Sequence, residues 1–211
     1  MGETRWEQAR SFERAEGRGG YGAHFAQLMA EGVDIEGEAR LADVLAPRHA
    51  DILDAGSGMG RVGAALAARG HRVVGVDFDP EILDQSRRTF PDLPLVESRL
   101  DELTREMLSE AGHPTAYDLV VCVGNVMILL APDTERTVLA NLAGLLAPEG
   151  RLLVGFSLSD APSEFARPYP PAEFVADYEA VGLALVHRFA TYDLQPFTED
   201  STYAVHVLRR A

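Results

Sequence analysis

The sequence predicts an α/β fold: a Rossmann-like, doubly wound sheet of seven strands, mostly parallel, ending in an antiparallel C-terminal hairpin and preceded by a helical N-terminal extension. Three observations carry this expectation. Apolar strand-like runs alternate with helical patterns from Ile52 to Phe156. The first run stops at an acid and opens into a glycine-dense turn, Asp54-Ala-Gly56-Ser57-Gly58-Met-Gly60. The last two strand-like runs are joined only by Gln195-Pro-Phe-Thr-Glu-Asp200, too short a link to hold a crossover helix, so they must be antiparallel.

Residues 1–36 read as an amphipathic extension, weighted by Trp6, Phe12, Tyr21 and Phe25, broken at Gly17-Arg-Gly-Gly20, and expected to pack over the ligand end of the sheet or along its flank. Residues 37–211 form the main domain, and 211 residues with 46% apolar content suffice for one substantial core. After the first strand, Arg61–Arg69 carries helical spacing and is closed by Gly70; Arg72–Asp77 is a second buried strand ending in an acid. Pro80–Phe90 is a helix with proline in its first turn, Leu93–Glu97 a short third strand, and Asp101–Ala111 a polar helix. Tyr117–Val123 is the fourth strand and Asp133–Leu146 the next helix; Pro148-Glu-Gly150 then turns tightly into the fifth strand, Arg151–Phe156. Pro171–Val181 is a helix closed by Gly182, and Leu183–Leu194 and Ser201–Arg209 are the hairpin strands.

Three glycines in five residues are costly in backbone entropy, and they make sense where a backbone must adopt positive φ and approach a ligand closely. The helix that follows points free N–H groups back at this turn. Asp77, about twenty residues beyond Gly58, stands where a strand-end carboxylate accepts from ribose hydroxyls. Gly58-Met-Gly60-Arg-Val-Gly63 also satisfies the G-x-G-x-x-G fingerprint of nicotinamide and flavin enzymes. Asp54 tilts the choice, because a carboxylate at the mouth of the first strand repels a pyrophosphate and suits a cationic amino-acid group. Position, charge and turn together favour S-adenosylmethionine.

Composition removes other classes. A net charge of −14 and a pI near 4.8 oppose general nucleic-acid binding. All 19 basic residues are arginines, which excludes Schiff-base lysines, phosphate-loop Gly-Lys-Ser/Thr and the Tyr-x-x-x-Lys pair. Cys122 is the sole cysteine and reads as a small core residue. The opening Met-Gly-Glu-Thr-Arg-Trp-Glu lacks the apolar core of a signal peptide, and Leu119–Ala131 is too short and interrupted to span a bilayer, so a cytoplasmic protein without membrane contact is expected.

From about Gly37 to its end, the chain resembles the class I S-adenosylmethionine-dependent methyltransferases, most of all small bacterial members. The family's acid-x-Gly-x-Gly-x-Gly motif is matched by Asp54, Gly56, Gly58 and Gly60, with Ser57 inside it. The resemblance places the ribose acid on Asp77, the neighbour lying against adenine on Phe78, and the turn before the fifth strand on Leu146-Ala-Pro148-Glu-Gly150. One departure is Ser98-Arg99-Leu100, where members commonly carry an adenine-binding Asp. Either Asp101 reaches adenine through a shifted loop, or the Arg99 and Leu100 backbone reads the base edge while Arg99 stacks on its face; the second is the preferred expectation. After the fourth strand, where the family transfers the methyl group, Gly124 permits close approach and Asn125 offers a donor and an acceptor. No Asn-Pro-Pro-Tyr or Asp-Pro-Pro-Tyr motif is present, which argues against DNA adenine and protein glutamine as acceptors.

The resemblance implies methyl transfer from S-adenosylmethionine to a small-molecule acceptor, leaving S-adenosylhomocysteine. In-line displacement requires no obligatory base, so Asn125, His24 and Tyr21 are candidates for acceptor contact. His187 and Asp193 are expected on one strand face and Tyr192 on the other. His49, His71, His113 and His206 show no metal spacing and read as surface or strand residues, so no metal site is expected. Arg10, Arg14 and Arg18 read as an ion-paired helix face, Asp79 as a helix start, and Arg167-Pro-Tyr-Pro-Pro171 as a stiff loop near the acceptor opening. Two other readings stay open: an NAD(P)-dependent Rossmann oxidoreductase, and a non-catalytic S-adenosylmethionine-binding sensor.

Overall fold

The structure is a computed structural model and describes residues 2–17, 25, 27–28, 30–159 and 163–211. A helix, α1 (Arg5–Ala15), comes first, opened by a capping box in which Thr4 and Glu7 satisfy each other's backbone N–H. Then follow α2 (Gly37–Leu45), β1 (Asp51–Ala55), α3 (Arg61–Ala68), β2 (Arg72–Asp77) and α4 (Pro80–Thr89). Next come β3 (Leu95–Glu97), α5 (Arg105–Glu110), β4 (Tyr117–Cys122) and α6 (Glu135–Gly144). The chain ends with β5 (Leu146–Ser157), α7 (Pro171–Ala180), β6 (Leu183–Phe189) and β7 (Tyr203–Arg210).

One seven-stranded sheet has the order β3-β2-β1-β4-β5-β7-β6. Its strands are parallel except β7, which runs antiparallel to β5 and β6. The order reverses between β1 and β4, which opens a crevice at the carboxyl ends of the strands. Alternation divides the core between the two sheet faces. Ile52, Val73, Leu119, Val121 and Leu153 pack with α2 and α3, while Leu53, Val74, Val120, Leu152 and Phe156 pack with α6 and α7. Asp54 therefore shares a face with Ile52 and points towards α3. Cys122 is buried in the core.

Several element boundaries differ from expectation for local reasons. The polar helix starts at Arg105 rather than Asp101, because Thr104 caps it and Asp101 is bound by Arg99. α6 starts at Glu135, after Asp133 in the left-handed region. β5 begins at Leu146 and runs through Pro148-Glu-Gly150, since Leu146 already pairs with Tyr117 and a register shift absorbs the turn. β6 ends at Phe189, and Ala190 N donates to Gln195 O, so strand alternation does not reach Tyr192 and Asp193. His71 is buried rather than at the surface: its Nδ1 accepts from Ala50 N at 3.2 Å and its Nε2 faces Asp43 at 3.0 Å. Arg10 and Arg14 pair with Glu13 and with Glu81 of α4, and Arg18 lies outside the described residues.

Phe174 of α7 centres an aromatic cluster, with ring centroids 5.0 Å from Phe156, 5.3 Å from Tyr169 and 5.5 Å from Tyr178. Phe174→Ala should lower unfolding free energy by about 3–5 kcal/mol in urea titration. A loss below about 1 kcal/mol would show that this cluster does not anchor α7.

Candidate active site

The glycine turn is held to the sheet from behind. Gly56 N and Ser57 N both donate to Val76 O, at 2.8 and 3.0 Å. Gly56, Gly58 and Gly60 have φ of 77°, 54° and 83°, a region that disfavours side-chain-bearing residues. At Gly56 the steric demand is doubled, because a Cβ there would stand 2.5 Å from Val126 Cγ2.

Asp77 closes the turn from the neighbouring strand. Its Oδ2 accepts from Gly58 N at 2.8 Å, and its Oδ1 accepts from Phe78 N at 2.8 Å and Asp79 N at 3.0 Å. A carboxylate has about four acceptor positions, so roughly one remains on Oδ2 for a ligand hydroxyl. Burial raises this carboxyl above its ordinary range, and the three backbone donors oppose that rise. Two residues on, Asp79 caps α4 by accepting from Glu81 N and Ile82 N. Its other oxygen accepts from the Trp6 indole N–H at 2.8 Å.

Gly56, Gly58, Asp77 and Trp6 line an open cavity over the carboxyl ends of β1, β2 and β4. Of the expected site residues, Gly56, Gly58, Asp77, Phe78, Arg99, Leu100, Gly124 and Asn125 line it. Asp54, Ser57 and Gly60 are not among the lining residues. Asp54 is 2% exposed and accepts from Gly63 N at 2.9 Å, filling the start of α3 from within the chain. Burial pushes its carboxyl up to about 7, against the lowering effect of the Gly63 bond. The notion of Asp54 as an acid at the cavity mouth is thus corrected: alternation along β1 turns it towards α3. Gly60 instead forms the left-handed N-cap of α3.

Arg99 lines the cavity with its guanidinium edge paired inside the chain. Its Nε and Nη2 grip both Asp101 oxygens, at 3.0 and 2.8 Å, and its Nη1 donates to Gly2 O at 3.2 Å. The pair holds the Asp101 carboxyl below the usual range. Asn125 has φ of 76°, and its Oδ1 accepts from Ser157 N at 2.8 Å, which ties the side chain to β5 and leaves its NH₂ donors for a ligand. Tyr21 and His24 lie outside the described residues.

Trp6 belongs to the extension expected to pack over the ligand end of the sheet, and it supplies a wall of the cavity together with Thr4, which no local pattern signals. Val126, Leu129 and Leu130 add an apolar side. Behind Gly124, the hydroxyls of Tyr192 and Tyr203 meet at 2.9 Å above Gly155, where a Cβ would clash with Tyr192. Burial raises both phenols, so they are neutral, and the Gly124 backbone amide acts on each in the opposite sense. Only a glycine at 155 admits this pair, and that glycine in a strand was the available signal. Among the described residues, no group of three His, Cys, Asp or Glu side chains is placed to hold a metal ion, and no helix is long and apolar enough to cross a membrane.

A crevice with a glycine-rich floor, one ribose-type carboxylate and apolar walls suits a nucleoside that carries a polar tail and no phosphate. Asp54 already occupies the Gly63 N–H at the start of α3. Comparison with known proteins agrees. Residues 53–152 match a family described as "Methyltransferase domain". The crystal structure of a TehB-like SAM-dependent methyltransferase from Corynebacterium glutamicum shares 37% identity with this chain and a TM-score of 0.78, covering 90% of this chain and 98% of that one. The chain belongs to the class I S-adenosylmethionine-dependent methyltransferases, and S-adenosylmethionine is its cofactor. An uncharacterized methyltransferase of Mycobacterium tuberculosis is 36% identical over 115 residues, 54% of either protein. A ubiquinone biosynthesis O-methyltransferase of Xanthomonas axonopodis is 29% identical over 133 residues, 63% of this chain and 53% of that one. The matched region thus spans about half the length of these curated relatives.

The raised Asp54 carboxyl sets a pH dependence. Its folded value near 7 lies above the unfolded value near 3.8, so ionisation costs stability: the cost is absent below about pH 4, grows as pH rises and is complete above about 7. Asp54→Asn removes it. The melting-temperature difference, variant minus parent, should rise with pH across that window and then level off, with an upper bound of about 4 kcal/mol on the underlying change. A pH-independent difference in differential scanning fluorimetry would contradict the raised carboxyl.

Proposed function

We propose that the protein is an S-adenosylmethionine-dependent methyltransferase (EC 2.1.1.-) acting on a small-molecule acceptor. The observation that carries this reading is the juxtaposition, in one cavity, of the Asp77 carboxylate with the left-handed Gly124-Asn125 turn. The first fits the nucleoside end of the cofactor and the second its methionine end. Gly56, Gly58, Phe78, Leu100 and the Arg99 backbone complete the cofactor contacts, with residues 1–36 as a covering extension and 37–211 as the catalytic domain. Asp54, Ser57 and Gly60 act behind them, fixing the turn and the start of α3.

In the reaction, a lone pair on an acceptor oxygen or nitrogen attacks the methyl carbon as the C–S bond breaks. The bonding pair returns to sulfur, giving S-adenosylhomocysteine, and the acceptor's proton passes to solvent or a nearby base. The protein's part is alignment and exclusion of water. Neutral phenols at Tyr192 and Tyr203, set behind Gly124 and outside the cavity lining, suit support of the Gly124 turn and do not suit proton abstraction at neutral pH. The acidic net charge supports an acceptor other than nucleic acid. A cytoplasmic location is supported by the single, buried cysteine.

Calorimetry with S-adenosylhomocysteine, then release of labelled methyl to a panel of phenols, amines and carboxylates, tests the reading; absence of binding would end it. Asp77→Ala should weaken S-adenosylhomocysteine binding about 100-fold, because it removes the ribose acceptor and the bond holding Gly58. Unchanged affinity would remove Asp77 from the site. Tyr203→Phe should lower S-adenosylhomocysteine affinity and, with an acceptor from the panel, kcat/KM together, each by several-fold, because the pair supports the Gly124 turn; a fall in kcat/KM at unchanged affinity would place the pair at the acceptor instead.

A further inference from the structure

Residues 2–7 are an element of the cofactor site. Thr4 and Trp6, the N-cap and first turn of α1, line the same cavity as Asp77 and Phe78, although α1 lies outside the sheet. It crosses the crevice as a bar anchored at both ends. On the side of β4, Arg5 N and Trp6 N donate to Leu130 O and Leu129 O at 3.3 and 3.0 Å. The Arg5 guanidinium adds bonds to Leu130 O at 2.9 Å and Glu135 Oε1 at 3.3 Å. On the side of β2, the Trp6 indole donates to Asp79. Beyond β3, Arg99 donates to Gly2 O.

We propose that this bar is a latch: the cofactor enters and the product leaves when it lifts, and Trp6 together with Arg5 sets how often it does. The proposal rests on the cavity being the S-adenosylmethionine site. Its physical basis is that residues 2–6 are held by polar bonds at the rim, and the rest of α1 mainly by ion pairs of Arg10 and Arg14 with Asp79 and Glu81 and by the Phe12–Phe165 ring contact, so the bar opens at lower cost than the sheet does. The indole, meanwhile, has one edge on Asp79 and contributes wall to the ligand, so a bound nucleoside and a closed latch stabilise each other. The acid that receives the indole lies two residues beyond Asp77, which couples the latch directly to the floor of the site.

Trp6 is the sole tryptophan, so its emission reports the latch without labelling. S-adenosylhomocysteine should change that emission, and release of radiolabelled S-adenosylhomocysteine, chased with excess unlabelled ligand, should be accelerated about tenfold by Trp6→Phe, which keeps the ring and loses the donor. Arg5→Gln is decisive, because Arg5 anchors the bar without lining the cavity. It should accelerate release several-fold and still show the emission change. An Arg5→Gln release rate equal to that of the parent, or an emission that ignores S-adenosylhomocysteine, would overturn the latch. Calorimetry showing that the parent protein does not bind S-adenosylhomocysteine would overturn the cofactor reading instead.

Discussion

The site depends on one buried carboxylate. Asp77 ties Gly58, on the turn after β1, to Phe78 and Asp79, on the turn after β2, so two loops from separate strands share one acceptor. Each backbone bond to a charged acceptor contributes more than a neutral one, about 1.5–3 kcal/mol, and three together make the crevice floor stiff before any ligand arrives. The order extends outwards from there: once Asp79 is placed, it starts α4 and receives Trp6. A single strand-end acid thereby sets a loop, a helix start and part of the N-terminal segment.

What the sequence disclosed and what it concealed divide by the range of the interactions. The glycine turn, Asp77 and the antiparallel ending were legible because each is a local pattern: positive-φ residues at short spacing, an acid closing an apolar run, two strands with too short a link. The direction in which Asp54 points was also implicit in strand alternation, since it follows Ile52 by two residues, but the carboxylate's partner is Gly63, reached only when α3 folds back. The Trp6–Asp79 bond joins residues 73 apart and the Arg99–Gly2 bond residues 97 apart. No periodicity encodes such contacts. Arg99, placed where an adenine-binding acid is usual, is held by Asp101 through Nε and Nη2 and by Gly2 O through Nη1, contacts that position alone did not signal.

The far side of the crevice is built on a different principle. Gly124 and Asn125 both adopt left-handed backbone, at φ of 71° and 76°, and a non-glycine there is held only when its surroundings compensate. Compensation comes from β5: Asn125 N donates to Gly155 O and Asn125 Oδ1 accepts from Ser157 N. Gly155 serves twice, because its bare face also accommodates the Tyr192 hydroxyl. Strand β5 therefore positions the cofactor turn on one side and the phenol pair on the other, so changes at either register in both.

Asp54 gives the fold a kind of built-in selectivity. The amino end of α3 is where an open α/β protein ordinarily meets an external phosphate, and here the chain supplies its own anion to that place. A phosphate reaching the Gly63 N–H would have to displace a side chain that the chain itself holds there. Such an arrangement needs no repulsive gate at the entrance. It is bought with a carboxyl whose ionisation the interior resists, a standing expense that the fold carries whether or not a competitor is near.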